Sequence, residues 1–353
     1  MLKNLMRALA LALPVAAGHA AEPLKVGFVY VSPIGQAGWT YQHDQARLAL
    51  ERALGPAVRT SFVEGVPEGA DAERVMRDLA AQGHGLIFAT SFGYLEPALR
   101  VAADFPQVKF EHAGGYKVAP NLNTYNARFY EGRWLAGWLA GRASGNGVAG
   151  YVAGFPVPEV VQGINAFTQG MRAANPKAVV RVRWLNTWFD PPKEREAALS
   201  LIHGGADVLT NHSGSPAVPQ TAEEKGVKLI GYQSDMSRYA PKAQLAAVTA
   251  DWSAYYVREA RAVAAGTWRA QPAWGGMKDG MVRLWLSPSV PPPWRQQLAR
   301  LEQQMAGGKA GPFVGRLVDQ AGAVRQERGA LGDAAIAQMD WFVQGVEGSL
   351  PGK

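Results

Sequence analysis

The sequence predicts an α/β protein built from two doubly wound lobes, each with a mostly parallel sheet. Three observations favour this fold. The chain has 353 residues, more than one ordinary hydrophobic core needs. Short apolar runs alternate with helical patterns along most of its length. Hydrophobic residues make up 48% and charged residues 18%, so there is enough apolar surface for two cores.

The first lobe begins with an apolar run, Leu24–Val31, which is typical of a buried parallel strand. The apolar spacing in Asp44–Ala53 then predicts a helix. The pattern repeats along the next sixty residues. The further strands and helices predicted for this series are, in chain order, Val58–Val63, Ala72–Gln82, Gly85–Thr90, Glu96–Phe105 and Val108–His112.

A second series of the same kind predicts a second lobe. The extended segments Asn123–Arg128 and Leu245–Asp251 are predicted to carry the chain between the lobes. The elements predicted for the second series are Gly132–Arg142, Val148–Ala153, Pro158–Ala174, Val179–Trp184, Pro192–His203, Asp207–Asn211, a helix ending at Glu223, Lys228–Tyr232 and Leu245–Thr249.

The first twenty residues predict a cleaved export signal. Lys3 and Arg7 precede an apolar run over Ala8–Ala17, and small residues surround a cleavage point near Ala20. No later run reaches eighteen apolar residues, so we expect a soluble protein in the periplasm. The chain has no cysteine, so we expect neither a lipid anchor nor disulfides.

The charge pattern and the motifs argue against several other functions. The formal net charge is +7, but the basic residues are dispersed, so we expect no nucleic-acid partner. The GxGxxG match at 145–150 precedes a strand instead of following one, so it indicates a turn and not a nucleotide site. The six histidines lack HxxxH spacing. We therefore expect no catalytic residue, metal or cofactor.

A ligand site is expected in the loops that follow the strands, because open parallel sheets bind ligands at the carboxyl ends of their strands. These loops are rich in aromatic rings and carry several polar groups, a combination that suits a flat heteroaromatic ligand. The alternative for any one ring is packing between loops. The predicted ligand-binding residues are Trp39, Tyr41, Phe92, His112, Trp188, Asp190, Asn211 and Asp235.

Several segments together resemble one protein family, the basic membrane protein (Bmp) family of ABC-transporter substrate-binding proteins, which includes purine nucleoside receptors. The resemblance runs from Lys25 to about Gly348. The segments that carry it are KVGFVY at 25–30, GWTYQHDQAR at 38–47, DFPQVKFEH at 104–112, EGRWLAGWLAG at 131–141, ADVLTNHSG at 206–214, IGYQSDMS at 230–237 and MDWFVQGVEG at 339–348.

The resemblance implies the type I periplasmic-binding-protein fold, with two lobes joined by a hinge of three chain crossings. We expect lobe 1 to comprise residues 21–126 and about 250–278, and lobe 2 to comprise 127–249 and about 279–353. By alignment, Trp39 and Trp188 take the places of two rings that clamp a purine in the family. Asp190 and Asp235 take the places of two acidic residues.

Three departures from the family pattern affect the ligand. Gln36 stands where the family has Asp, Gly114-Gly115 replaces an acidic pair, and Ala250 stands in place of a Lys. These are groups that nucleoside-binding members use on the ribose and the base. We also expect Tyr41 and Trp252 to fill the space of the ribose. The ligand predicted on these grounds is a free purine base, adenine before guanine.

The predicted function is that of a periplasmic receptor, a monomer that passes a purine base to an ABC permease in the inner membrane. Purine nucleoside binding by the same fold and a role as a ligand-sensing receptor are the alternatives. An enzyme acting on purines is a further one, but it requires a nucleophile or metal that no motif supplies.

Overall fold

The computed structural model describes residues 22–352. The predicted export signal, residues 1–20, lies outside this range. The strands are β1 (Leu24–Val29), β2 (Val58–Val63), β3 (Leu86–Ala89), β4 (Lys109–Ala113), β5 (Leu122–Ala127), β6 (Val148–Ala153), β7 (Val179–Trp184), β8 (Val208–His212), β9 (Lys228–Gln233), β10 (Gln244–Ala250), β11 (Ala273–Gly275), β12 (Val282–Leu286), β13 (Leu317–Val318), β14 (Val324–Gln326) and β15 (Val346–Glu347).

The strands form two large sheets. The first has the spatial order β11-β5-β4-β3-β1-β2, and all of its strands are parallel. The second has the order β12-β10-β9-β8-β6-β7-β15, in which β12 runs antiparallel to β10 and the other neighbours are parallel. Strands β13 and β14 form a small separate hairpin.

Helices cover both faces of each large sheet. They are α1 (Trp39–Leu54), α2 (Ala70–Ala81), α3 (Leu95–Asp104), α4 (Phe129–Ala143), α5 (Pro158–Ala174), α6 (Pro191–His203), α7 (Ala217–Lys225), α8 (Ser253–Ala264), α9 (Pro292–Ala306) and α10 (Asp333–Ala337). On the first sheet, α1 and α8 cover one face and α2 and α3 the other. On the second, α4 and α5 lie opposite α6 and α7. The predicted fold class, two doubly wound α/β lobes, is confirmed.

Strand β1 illustrates why these segments form buried strands. Val26 and Phe28 face the core shared with α1 and α8, and Val29 faces the core under α2 and α3. All three side chains are fully buried. A strand covered by helices on both faces has no solvent side, so β1 is apolar and buried after the exposed Lys25 near its start.

The chain passes between the sheets three times. It leaves β5 at Ala127 and enters α4 on the second sheet, returns from β10 at Ala250 to α8 on the first, and passes from β11 to β12 between Gly275 and Val282. From these crossings we propose that lobe 1 comprises residues 22–127 and 252–278 and lobe 2 the rest of the described chain. These bounds lie within two residues of those that the sequence predicts.

Helices α4 and α5 pack with their backbones in contact. An ideal Cβ built on Gly137 would lie 2.0 Å from the carbonyl oxygen of Phe167, and one built on Gly170 would lie 1.9 Å from that of Trp134. Both distances are far below any normal contact, so these two positions accept no side chain without moving a helix. The glycines therefore set the spacing of the pair.

The region after Ala270 contains elements that the sequence does not predict. Strand β11 adds to the first sheet, while β12 and β15 lie at opposite edges of the second. Helix α9 packs against α4, and α10 packs against α5. Within residues 22–352, no helix is both long and apolar enough to cross a membrane.

Candidate ligand-binding site

A cavity lies between the lobes at the carboxyl ends of both sheets. It contains about 610 Å³ of space between atoms, part of it open to solvent. Its lining is mostly apolar, with a few polar groups. Lobe 1 contributes Val31, Ser32, Trp39, Ser91, Phe92, Ala113 and Gly114, and lobe 2 contributes Val157, Glu159, Trp188, His212, Ser213, Gly214 and Gln233.

Trp39 is held in place on the lobe 1 side of the cavity. It is the first residue of α1, and the Gly38 before it has a φ of 99°, a left-handed conformation that favours glycine. The Trp39 Nε1 donates a hydrogen bond to the carbonyl oxygen of Thr90 at 2.6 Å. Its ring meets the edge of His43, with the ring centroids 4.3 Å apart. These contacts fix the ring independently of a ligand.

Trp188 lies on the lobe 2 side, in the loop after β7. Its ring packs on the backbone of Gly154, where an ideal Cβ would come within 2.7 Å of the Trp188 Cε3. Phe155 meets the same ring edge-on, at 4.9 Å between centroids. The Trp188 Nε1 donates to Glu68 Oε1 of lobe 1 at 3.1 Å. The position of this ring therefore depends on both lobes.

Glu68 connects the two sides of the cavity. Its Oε1 accepts hydrogen bonds from Ser91 Oγ at 2.6 Å and from the backbone N–H of Gly93 at 2.9 Å, both within lobe 1. The same oxygen accepts the bond from Trp188 across the lobe boundary. Closing the lobes thus brings Trp188 against a carboxylate that lobe 1 already orients.

Further contacts show that the lobes are closed on each other. The backbone N–H of Gly38 donates to Ser234 Oγ at 2.7 Å, and Arg238 donates to the side-chain oxygen of Gln36. A Cβ on Gly38 would lie 2.7 Å from the carbonyl oxygen of Gly214 in the opposite lobe. The structure is therefore the closed form of a two-lobed protein.

Gln233, at the end of β9, brings an unsatisfied amide to the cavity. Its φ is 70°, an uncommon value for a residue with a side chain. Its Oε1 is buried and has no hydrogen-bond partner among the described residues. Buried polar atoms are normally paired, and backbone strain concentrates at functional sites. Gln233 therefore has a buried side-chain acceptor that no described residue uses.

Glu159 and His212 form a buried polar pair on the lobe 2 wall. The Glu159 Oε1 lies 3.5 Å from His212 Nε2. Burial raises the pKa of Glu159 to about 7, although the Asn126 side chain and the Arg133 charge act in the opposite direction. Burial also holds the pKa of His212 well below its usual range, helped by Arg133. The imidazole is therefore neutral at physiological pH, while the carboxyl group titrates.

Arg133 lies behind the cavity and holds its wall. Its side chain is fully buried and donates to Thr210 Oγ1 at 2.9 Å and to the carbonyl oxygen of Asn211 at 2.7 Å. Its guanidinium lies 3.5 Å from the ring centroid of Tyr232. Arg133 thus fixes the end of β8, from which His212 enters the cavity.

Of the eight predicted site residues, Trp39, Phe92 and Trp188 line the cavity. The other five do not. Tyr41 lies further along α1, and His112 is fully buried one residue before the lining Ala113. Asn211 is fully buried and donates to the carbonyl oxygen of Ser213 at 3.0 Å.

The two acidic residues among the five stabilise local structure. Asp190 is the N-cap of α6, where its side chain accepts from the backbone N–H of Lys193 at 3.1 Å. Asp235 accepts from the backbone N–H of Ser237 at 2.9 Å and from Gln244 Nε2 at 2.6 Å. Both carboxylates therefore have hydrogen-bond partners from nearby elements, and neither residue lines the cavity.

The expectation that Tyr41 and Trp252 fill the space of a ribose is not met. Trp252 is fully buried in the core, with its ring stacked on His43 at 5.2 Å between centroids. Neither ring lines the cavity. The side-chain oxygen of Gln36 accepts a hydrogen bond from Arg238, and Ala250 has no polar side-chain atom, so neither offers a carboxylate or an ammonium group to a ribose.

The eight residues predicted from the sequence do not include Glu159, Gln233 or His212, which line the cavity. Gln233 and His212 are the last residues of their strands, so position alone could have found them. Glu159 lies inside the first turn of α5. Among residues 22–352, no group of three or more His, Asp or Glu side chains is placed to hold a metal ion.

The fold and the cavity define a class, a two-lobed protein that closes on a small molecule at the carboxyl ends of its sheets. The family model for ABC transporter substrate-binding proteins of the PnrA-like type (Bmp) matches residues 24–306. The chain belongs to this family, and the resemblance inferred from its motifs is confirmed. A substrate-binding protein of an ABC transporter has a small-molecule ligand and a permease as its partners, and the family is typically extracytoplasmic.

Two relatives match nearly the whole chain. A purine-binding protein of Brucella abortus (strain 2308) is 48% identical over 336 residues, which cover 95% of this chain and 96% of the relative. A Haloferax volcanii protein named as an ABC transporter glucose-binding protein is 38% identical over 332 residues, covering 94% of this chain and 82% of the relative.

Solved structures at lower identity share the fold. An ABC transporter solute-binding protein from Conexibacter woesei superposes with a TM-score of 0.66 at 24% identity, covering 81% of this chain and 97% of that chain. A solute-binding protein of the same kind from Aeropyrum pernix K1 gives a TM-score of 0.69 at 20% identity, covering 81% and 92%. Both are solute-binding proteins by name, and their similarity supports the fold described above.

Proposed function

We propose that this protein is the periplasmic receptor of an ABC importer and that it binds a free purine base, adenine before guanine, between its lobes. The observation that carries the proposal is the cavity itself, which combines Trp39 and Trp188 with the unpaired amide oxygen of Gln233. Flat rings stack on tryptophan, and an amide pairs with the edge of a base. The Brucella relative, named for purine binding, supports the ligand class.

The Gln233 amide supports adenine in particular. It offers one acceptor oxygen beside one donor group, and adenine presents an amino donor beside a ring nitrogen that accepts. Guanine has an additional amino group next to a ring N–H, and both require acceptors. Among the described residues that line the cavity, Glu159 is the one with a carboxyl group. Its raised pKa leaves it protonated below neutral pH, so there it does not offer guanine a carboxylate acceptor.

A sugar ligand is the second candidate because the Haloferax relative is named for glucose binding. Each hydroxyl of a sugar loses water in a closed cavity and needs a replacement hydrogen bond. The mostly apolar lining offers few such groups, so it favours a purine. Nucleosides are disfavoured for the same reason, since Gln36 and Ala250 leave the ribose hydroxyls without partners.

Calorimetric titration at about pH 6 with adenine, guanine, hypoxanthine, adenosine, guanosine and glucose tests the proposal. Adenine is expected to bind most tightly. The Gln233→Ala variant should weaken adenine binding about tenfold, the loss expected for one good hydrogen bond. Gln338→Ala, an exposed change at the end of α10, serves as the control. Tighter binding of a nucleoside would refute the free-base assignment, and tighter binding of glucose would refute the purine class.

Ligand binding is expected to close the lobes. In the closed form, Gly38 donates to Ser234 and Trp188 donates to Glu68 across the cleft, whereas an open form exposes these groups to water. Small-angle scattering should therefore give a smaller radius of gyration at saturating adenine than without it. An unchanged profile, at an adenine concentration where calorimetry shows saturation, would contradict closure.

A further inference from the structure

Glu159 places a carboxyl group at the boundary between the lobes. It belongs to the first turn of α5 in lobe 2, and its side chain is 18% exposed, through the cavity that it lines. Its Oε2 lies 3.8 Å from the point where a Cβ on Gly114 of lobe 1 would stand. The space that the glycine leaves open is therefore next to the Glu159 carboxyl group, which a ligand in the cavity can reach.

The groups around Glu159 keep their protonation states near neutral pH, whereas Glu159 can gain or lose a proton. Its Oε1 lies near His212, which stays neutral, and the Asn126 side chain acts to lower the pKa of the carboxyl group. Arg133 contributes a positive charge, and its guanidinium stacks on the ring of Tyr232. The phenols of Tyr151 and Tyr232 keep their protons, because burial raises the pKa of both. Glu159 is thus the member of this cluster that titrates near neutral pH, with a pKa of about 7.

We propose that Glu159 selects between purine bases according to whether it carries a proton. The inference rests on the proposed function, since it assumes a purine base whose pyrimidine-ring edge faces Glu159. A protonated carboxyl group donates to the ring nitrogen of adenine at that edge, because this nitrogen carries no proton. An ionised carboxylate accepts from the ring N–H and the adjacent amino group of guanine. One side chain thereby matches two ligands in two protonation states.

The direction of the pH dependence follows from the pKa of Glu159. Below about pH 7 the side chain is protonated, so adenine affinity is at its maximum there and falls as the pH rises, by up to about tenfold per unit. Guanine requires the ionised form, so its affinity falls by up to about tenfold per unit as the pH drops below about 7. The ratio of protonated to ionised Glu159 changes about a hundredfold between about pH 6 and pH 8, so the ratio of the two affinities is expected to change by up to about a hundredfold.

Calorimetry with adenine and guanine across about pH 5.5 to 8.5 tests the proposal, because neither base changes its own protonation state in this interval. Repeating each titration in buffers of different ionisation enthalpy gives the number of protons exchanged. Adenine binding is expected to take up a proton above about pH 7, and guanine binding to release one below it. The Glu159→Gln variant keeps a donor and cannot titrate, so it should prefer adenine at every pH and exchange no proton.

Glu96→Gln is the matched control, since Glu96 is an exposed residue that pairs with Lys117 away from the cavity. It should keep the wild-type pH profile. If purines bind but the wild-type affinity ratio is constant with pH, the proposal is wrong and the proposed function stands. An identical profile in Glu159→Gln also refutes it. If neither base binds at any pH, the proposed function fails, and this inference fails with it. The wild-type profile and proton count decide the matter even if the variant does not fold.

Discussion

Replacing Trp39 or Trp188 by alanine is expected to weaken adenine binding from about fivefold to more than a hundredfold. Stacking a base on an aromatic side chain contributes roughly 1–3 kcal/mol by truncation to alanine, which corresponds to that loss of affinity. Both rings line the cavity, and each is oriented by a hydrogen bond from its own Nε1. Calorimetric titration of each variant with adenine gives the change in Kd directly.

The tryptophan experiment can separate stacking from the hydrogen bond that orients the ring. Trp188→Phe keeps a ring but loses the donor to Glu68, so its loss of affinity should be smaller than that of Trp188→Ala. Trp294→Ala, a change on α9 where the ring packs near Arg142, is the control and should bind adenine like wild type. Wild-type affinity in both Trp39→Ala and Trp188→Ala would refute the site.

Gly170→Ala is expected to destabilise the protein by about 3 kcal/mol or more, although alanine is the better helix former. The intrinsic preference for alanine over glycine in a helix is about 1 kcal/mol in the stabilising direction. Against it, the new Cβ would meet the carbonyl oxygen of Trp134 at 1.9 Å and force α4 and α5 apart. Thermal unfolding followed by circular dichroism should show a Tm lowered by about 5 °C or more.

Two further glycine variants test the cause of this loss. Gly137→Ala meets the carbonyl oxygen of Phe167 at 2.0 Å and should destabilise to a similar degree. Gly307 follows α9 and has a negative φ, and a Cβ built there would meet no atom closer than 3.5 Å. Gly307→Ala should therefore change the free energy of unfolding by no more than about 0.5 kcal/mol. If the Gly170→Ala protein is as stable as the Gly307→Ala protein, the close contact between α4 and α5 does not exclude a side chain at position 170, and the prediction is wrong.

The fold could be predicted from sequence as far as Thr249 because each strand and helix there is long enough to show a period. Strand β1 is buried on both faces from Val26 onward, and α5 has seventeen residues with a continuous buried face. Beyond Thr249, several strands are too short to show a period. Strands β13 and β15 have two residues each, and pairing with distant segments defines them, not a local pattern.

The site could be predicted in its aromatic part and not in its polar part. Trp39 and Trp188 follow strands and are too large for ordinary loop positions, so residue type and place together indicate them. Glu159 lies inside a helix, where an acidic residue in the first turn already has a structural explanation. Asp190 precedes two prolines at a helix start, a pattern that allows either a ligand contact or an N-cap, and the structure has the N-cap.

The three crossings also determine when each lobe can fold during synthesis. Lobe 1 supplies the first residues to emerge, but α8 and β11, which complete it, are made only after the parallel strands of lobe 2. Until about residue 275 has emerged, α1 lacks its neighbour α8 and the edge of β5 is uncovered. An unpaired edge strand is a template for aggregation. Nascent lobe 1 is therefore the part of this chain that most needs protection by chaperones before the lobe is complete.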